Sequence, residues 1–197
     1  MTRQLWIAGA AIAALSLAAC GQRTETEGAA TPAEQAATPD ANPAATIATP
    51  ADETAAPVFV EKAAASDMFE IEAAKVAQAK SQNADVKKFA GEMITAHTKS
   101  TADLKKAIAD SGQTLTPPAA LPADLQGQLD SLNSAAPADF DRAYLDNQVD
   151  AHQSALNLMQ RYAQDGDVPA LKAFAAATAP VIQQHYDHAK TLRDAKK

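Results

Sequence analysis

The chain is predicted to be all-α: four long helices behind a low-complexity leader. Apolar residues recur at intervals of three and four, with no period-two alternation and no hairpin signal. Helix-ending residues fall far apart, and the one long connection separates the second helix from the third.

The first helix is expected over residues 58–80, with Phe59, Ala63, Ala73 and Ala77 on one side. Asn83 is a suitable N-cap for the second, whose stripe is Val86, Phe89, Ala90, Met93, Leu104 and Ile108, and Gly112 ends it. Residues 113–137 form the long connection, with room for a short amphipathic turn or two through Leu125, Leu129 and Leu132. The third helix is expected over residues 138–164, with Phe140, Tyr144, Leu158, Met159 and Tyr162 facing inward. Asp165-Gly166-Asp167 turns the chain, and Val168-Pro169 opens the fourth helix, striped by Leu171, Phe174, Ala175, Thr178, Ile182, Ala189 and Leu192. Pro180 lies within it and is expected to interrupt and kink it, because proline removes a backbone donor and crowds the carbonyl one turn earlier. Short, long and short connections join two helical hairpins by one crossover between helices 2 and 3. That is the pattern of a ferritin-like four-helix bundle, whereas short connections throughout would give simple up-and-down order.

Ahead of the helices, residues 1–19 and Cys20 read MTRQLWIAGAAIAALSLAAC. A positive start, a short apolar run and small residues before the cysteine are the marks of an export signal. The run is shorter than the roughly 20 apolar residues that a spanning helix needs. Leu17-Ala18-Ala19-Cys20 resembles a bacterial lipobox, in which Cys20 becomes the lipidated N-terminus; an ordinary cleaved signal leaving a free thiol is the alternative. Gln22, where an aspartate would favour inner-membrane retention, points to the outer membrane. Residues 20–57 then form the lipidated cysteine and a linker dominated by Ala, Thr, Pro and Glu that cannot bury a core. As a tether it would reach roughly 35 Å. Residues 58–197 form the single folded domain, of a size that buries about two thirds of its unfolded surface.

Cys20 is the only cysteine, so the domain has no disulfide, thiolate metal site or cysteine nucleophile. The formal charge of −7 becomes −8 once the signal, holding Arg3 and no acid, is removed. An acidic chain without a basic stripe is a poor partner for nucleic acid or anionic lipid headgroups. Membrane association therefore falls to the lipid anchor. There is no phosphate-cradling glycine loop and no nucleophile elbow, and Ser154 is wrongly spaced from His152 to be activated by it. Met68, Met93 and Met159 at helical positions read as core filler.

Chemistry is concentrated in the polar residues that fall on apolar stripes. At about 100° per residue, His97 lies about 20° from Val86, Glu70 about 20° from Phe59 and His185 about 40° from Leu171. His152 sits within the broader apolar face of the third helix beside Gln148, while His188 is at an edge and Glu92 on the outer face. Each helix thus offers one inward candidate, and Glu70, His97, His152 and His185 lie at comparable depth. Three imidazoles and a carboxylate would suit one ion of zinc, copper, iron or manganese. A buried glutamate bonded to imidazoles also makes a self-consistent network without an ion. A dinuclear oxidase centre needs Glu-x-x-His on two helices, and the residues three before these histidines are Ile94, Val149 and Ile182.

The segments FVEKAAASDMFEIEAAKVA, VKKFAGEMITAH, FDRAYLDNQVDAHQSAL and the later AP with IQQHYDHAKTL together resemble a bacterial family of exported helical proteins. It is the family called domain of unknown function 4142, whose members are often labelled outer membrane proteins. The resemblance covers about residues 58–193 and implies a ferritin-like bundle. It matches a recurring glutamate to Glu70 and recurring histidines to His97, His152 and His185. Ala96 stands where many members have an aspartate before the second-helix histidine. The chain is accordingly expected to be a periplasm-facing, outer-membrane lipoprotein whose helical domain is a non-enzymatic binding or envelope-stress module, its protein partner unidentified. The alternative is a mononuclear metal-binding protein, for metal storage or redox protection, using Glu70, His97, His152 and His185.

Overall fold

A computed structural model describes residues 52–195. The expected signal, Cys20 and most of the linker lie outside them. A 3-10 turn at Asp52–Thr54 precedes α1 (Ala56–Lys80), α2 (Ala84–Asp110), α3 (Ala123–Ser134), α4 (Phe140–Asp165) and α5 (Pro169–Asp194). All the described regular structure is helical.

Local chemistry sets the ends. Pro57 occupies the first turn of α1, where its missing donor has no helical partner to lose. Asn83 caps α2 by accepting from the backbone N–H groups of Asp85 and Val86 at 2.9 and 3.1 Å. Gly112, at φ 66°, lets the chain leave α2 in the left-handed region. Gly166 is needed for space, since a Cβ there would lie 2.5 Å from the Tyr162 ring. The 3-10 turn, which the sequence reading assigned to the linker, is fastened: Glu53 pairs with Lys62 at 2.7 Å and Arg161 at 3.0 Å.

Two expectations are corrected. Pro180 does not interrupt the last helix, and α5 continues through it to Asp194. Pro180 and Ala176, whose carbonyl loses its helical donor, are both exposed, so water can serve that oxygen. The connection between α2 and α4 holds more than a turn or two, because α3 spans 12 residues. Leu129 and Leu132 of α3 are buried, and the Lys80 ammonium donates to the carbonyls of Leu132, Asn133 and Ala135, holding the end of α3 against α1.

Contacts between residues fix the helix directions. Phe59 stacks on Tyr162 while Glu70 meets Gln148, so α1 and α4 are antiparallel. His97 faces His185 while Glu92 meets His188, so α2 and α5 are antiparallel as well. With short turns joining α1 to α2 and α4 to α5, the four long helices run up, down, down and up, and the crossover travels the bundle's length.

The core has two apolar parts. One gathers Phe59, Val60, Leu104, Met159, Tyr162, Leu171, Phe174 and Ile182; the other gathers Phe69, Phe89, Met93, Leu129, Phe140, Tyr144, Leu145 and Val149. Asp67, Glu70, His97, Gln148 and His152 are also buried. Their positions along the helices place them between the two parts. Among the described residues, no helix is long and apolar enough to cross a membrane.

Candidate metal centre

The polar layer is a product of helical period. His97 lies one turn after Met93, and Glu70 lies between Ala63 and Ala77 on the same repeat, so both turn inward with the apolar stripes. Glu70 and His152 are each 1% exposed and His97 is 4% exposed, while His185 is half-buried. The rings of His97, His152 and His185 form a triangle with centroid separations of 5.6, 5.8 and 5.5 Å. One ligand nitrogen from each can be chosen so that all three lie within 4.8 Å of one another.

Hydrogen bonds aim two of these rings. His97 Nδ1 lies 2.8 Å from Asp67 Oδ1, and the Thr101 hydroxyl donates to the other Asp67 oxygen at 3.4 Å. His152 Nδ1 lies 2.9 Å from the Gln148 carbonyl. A carbonyl only accepts, so the His152 proton sits on Nδ1 and the Nε2 lone pair is left free. Nε2 of His97, Nε2 of His152 and Nδ1 of His185 are buried with no hydrogen-bond partner in the protein. Glu70 is engaged behind the rings: Gln148 Nε2 donates to its Oε2 at 2.7 Å, and its Oε1 stands 3.8 Å from His152 Nδ1.

Burial, reinforced by His97, pushes the His152 imidazole down to about 3. Burial, with His152, His97 and His188 acting the same way, pushes His185 down to about 3. Both are therefore neutral donors at ordinary pH. For His97, burial acts downward, but the Asp67 hydrogen bond and the charges of Glu70 and Asp67 outweigh it and its pKa is raised. Burial holds the Glu70 carboxyl above the usual carboxylate range, against the pull of His97 and Gln148.

With this geometry established, comparison with known proteins places the chain. The family described as a domain of unknown function, DUF4142, matches residues 39–192. The chain belongs to the DUF4142 family. None of the curated proteins compared matches it. Among solved structures, the fold of this DUF4142 chain is similar to that of "CopM in the Cu(II)-bound form", with a TM-score of 0.61 at 16% identity over 73% of this chain and 98% of that one. The likeness establishes a shared fold.

Of the four residues expected to meet, three histidines form the potential ligand set, and Glu70 lies against the back of His152. Asp67 and Gln148, which aim the rings, were not among the expected site residues. For Asp67 the available signal was its place one turn before Glu70; for Gln148 it was its place one turn before His152 on the same face.

Proposed function

We propose that this DUF4142 chain binds a single copper ion through His97, His152 and His185. The observation that carries the reading is the trio of rings from which one ligand nitrogen apiece can be chosen within 4.8 Å of the others, each ring also keeping a buried nitrogen without a protein partner. The groups behind the rings support the same reading. Metal-bound histidines commonly donate their other N–H to a carboxylate or a backbone carbonyl, as His97 can to Asp67 and His152 does to Gln148.

Three imidazole nitrogen donors with no thiolate and no bridging carboxylate suit copper, which stands above zinc in divalent affinity for such sites. The fold shared with CopM, whose structure is described as Cu(II)-bound, supports copper over the other ions. The up, down, down, up order with one long crossover supports describing the bundle as ferritin-like. A bound copper ion would supply a tightly held, redox-capable cation. The residues of this chain would hold it, keep two donors unprotonated, and limit contact with water to the side of His185. Holding or sequestering copper fits this arrangement better than a role without a ligand.

The envelope location belongs to the same proposal. Support for it is the lipobox-like Leu17-Ala18-Ala19-Cys20 with Gln22 behind it. Cys20→Ala should release the protein from the membrane fraction, and continued retention there would remove the anchor.

Copper binding is tested with Cys20→Ser protein, which lacks the one competing thiol. After loading with copper, zinc, iron and manganese in turn, metal content is measured by mass spectrometry. One copper per chain is expected, with loss in His97→Ala and His185→Ala. No metal above background in the parent protein would overturn the reading.

A further inference from the structure

The outer face of α5 is unlike that of a helix turned only toward water. Between Pro169 and Gln184 the one charged residue is Lys172, and its ammonium is held on the Gln164 carbonyl at 2.9 Å. Ala173, Ala176, Ala177, Pro180 and Val181 are all exposed, and their spacing puts them on one stripe. Val181, at 42%, is the one large apolar side chain that stands exposed among the described residues. The stripe borders a groove whose other bank, on α2, is the row Lys99, Asp103, Lys106 and Asp110.

That row is self-complementary. Its middle falls between Leu104 and Lys105; Lys99 and Asp110 stand equally far from it, and so do Asp103 and Lys106. Turned end for end, the row therefore sets every lysine against an aspartate. Within one chain Lys99 pairs with Asp103 and Lys106 with Asp110, which keeps the four side chains in line. Each carboxylate has acceptor sites for a second lysine. The α5 stripe has its own midpoint at Ala177, with Ala173 and Val181 one turn to either side. The two midpoints share one height. His97 faces His185 and Glu92 meets His188, and the same antiparallel register carries the middle of the α2 row to Ala176 and Ala177. A two-fold axis requires this coincidence, because it must reverse both helices about one point.

We propose that this face of α2 and α5 is a two-fold interface between two copies of the chain. The α5 helices meet antiparallel at Ala177, where small side chains let the backbones come close. Lys99 then lies opposite Asp110 of the second copy, and Asp103 opposite Lys106. The apolar stripe supplies the contact area, while the charges set the register and disfavour other partners. The pairing does not depend on copper. His185 follows Val181 by about one turn, so the two histidine triangles lie at opposite ends of the shared face.

The test is sedimentation equilibrium of metal-free Cys20→Ser protein, in which no disulfide can join two copies, at concentrations up to the millimolar range. A monomer–dimer equilibrium is expected. Ala177→Glu puts two carboxylates on the axis and should raise the dimer Kd at least about a hundredfold. Its site is exposed, and helical circular dichroism checks that the fold is kept. Lys99→Asp and Asp110→Lys each set like charges together in both symmetric contacts, and each alone should raise Kd about tenfold. Mixed together, the two variants should form a heterodimer with a Kd near that of the parent, since each contact again joins a lysine to an aspartate. A parent protein that stays monomeric throughout would overturn the proposal and leave the face to another occupant, the chain's own residues 20–51 or a different protein. A dimer that Ala177→Glu leaves intact, or charge variants that gain nothing on mixing, would overturn it as well.

Discussion

In the part of the core around Phe59 and Tyr162, two rings stack with centroids 3.8 Å apart and the tyrosine hydroxyl donates to Asp167 at 2.8 Å. Around His97, His152 and His185 the rings stand at wide angles, 48° to 80°, and each keeps a buried nitrogen without a protein partner. Both regions are closely packed by the same four helices. One satisfies its polar atoms, and the other leaves a nitrogen on each of three neighbouring rings without a protein partner. Unpartnered buried polar atoms cost folding free energy, so the difference assigns stability to the apolar parts and chemistry to the layer between them.

The contrast can be broken most strongly from the apolar side. Phe59→Ala should cost about 3–5 kcal/mol of stability, as large-to-small core changes do. It should leave the copper content of the remaining folded protein unchanged. Urea unfolding and metal analysis of the same samples check both halves; loss of copper without loss of stability would contradict the division of roles.

Next in size is the orienting carboxylate. Asp67→Asn keeps the volume but weakens the hold on His97 Nδ1, and removal of such a partner lowers metal affinity about 10- to 100-fold. Copper competition titration measures it, and an unchanged affinity would mean that Asp67 does not aim the ring toward a ligand.

Protonation gives a smaller effect whose sign differs from ring to ring. An unfolded histidine titrates near about 6.5, whereas folded His152 and His185 accept protons only near about 3. Their contribution to stability is therefore present above the unfolded value and is lost as pH falls toward 3. Each contributes a slope of at most about 1.4 kcal/mol per pH unit in that window. His97, raised, contributes stability below its unfolded value, and that contribution is lost as pH rises through its folded pKa. Glu70, also raised, behaves in the same direction as His97. In metal-free protein, imidazole proton NMR should show His152 and His185 neutral at pH 5 and His97 titrating above the ordinary range. A His152 resonance that titrates near the ordinary value would contradict its burial.

The smallest effect is expected from His185→Leu. It removes one partnerless nitrogen and inserts an apolar side chain, so metal-free stability should stay within about 1 kcal/mol of the parent. Copper binding should nevertheless fall sharply. Thermal unfolding beside copper titration separates the two.

Much of this was readable before any coordinates. Asn83, Gly112 and the Asp165-Gly166-Asp167 turn act through their nearest neighbours, so their residue types carried their meaning. The inward histidines were readable because α2, α4 and α5 keep clear apolar stripes. Asp67 was not, because it lies about 80° around α1 from Phe59 on a helix that is buried over a wide arc. Its role depends on Thr101 and His97 of another helix, which no wheel of α1 contains. Pro180 misled for a related reason, since its effect depended on whether the face around Ala176 met water.

The most direct measurement is a count of imidazoles on the bound ion, by X-ray absorption and pulsed electron paramagnetic resonance of Cys20→Ser protein loaded with one equivalent of Cu(II). Three imidazole nitrogens in the parent, with the set disrupted in His97→Ala, is the expected result. A copper signal with fewer than three imidazoles, or one that His97→Ala leaves unchanged, would place the ion elsewhere and contradict a copper site at the triangle.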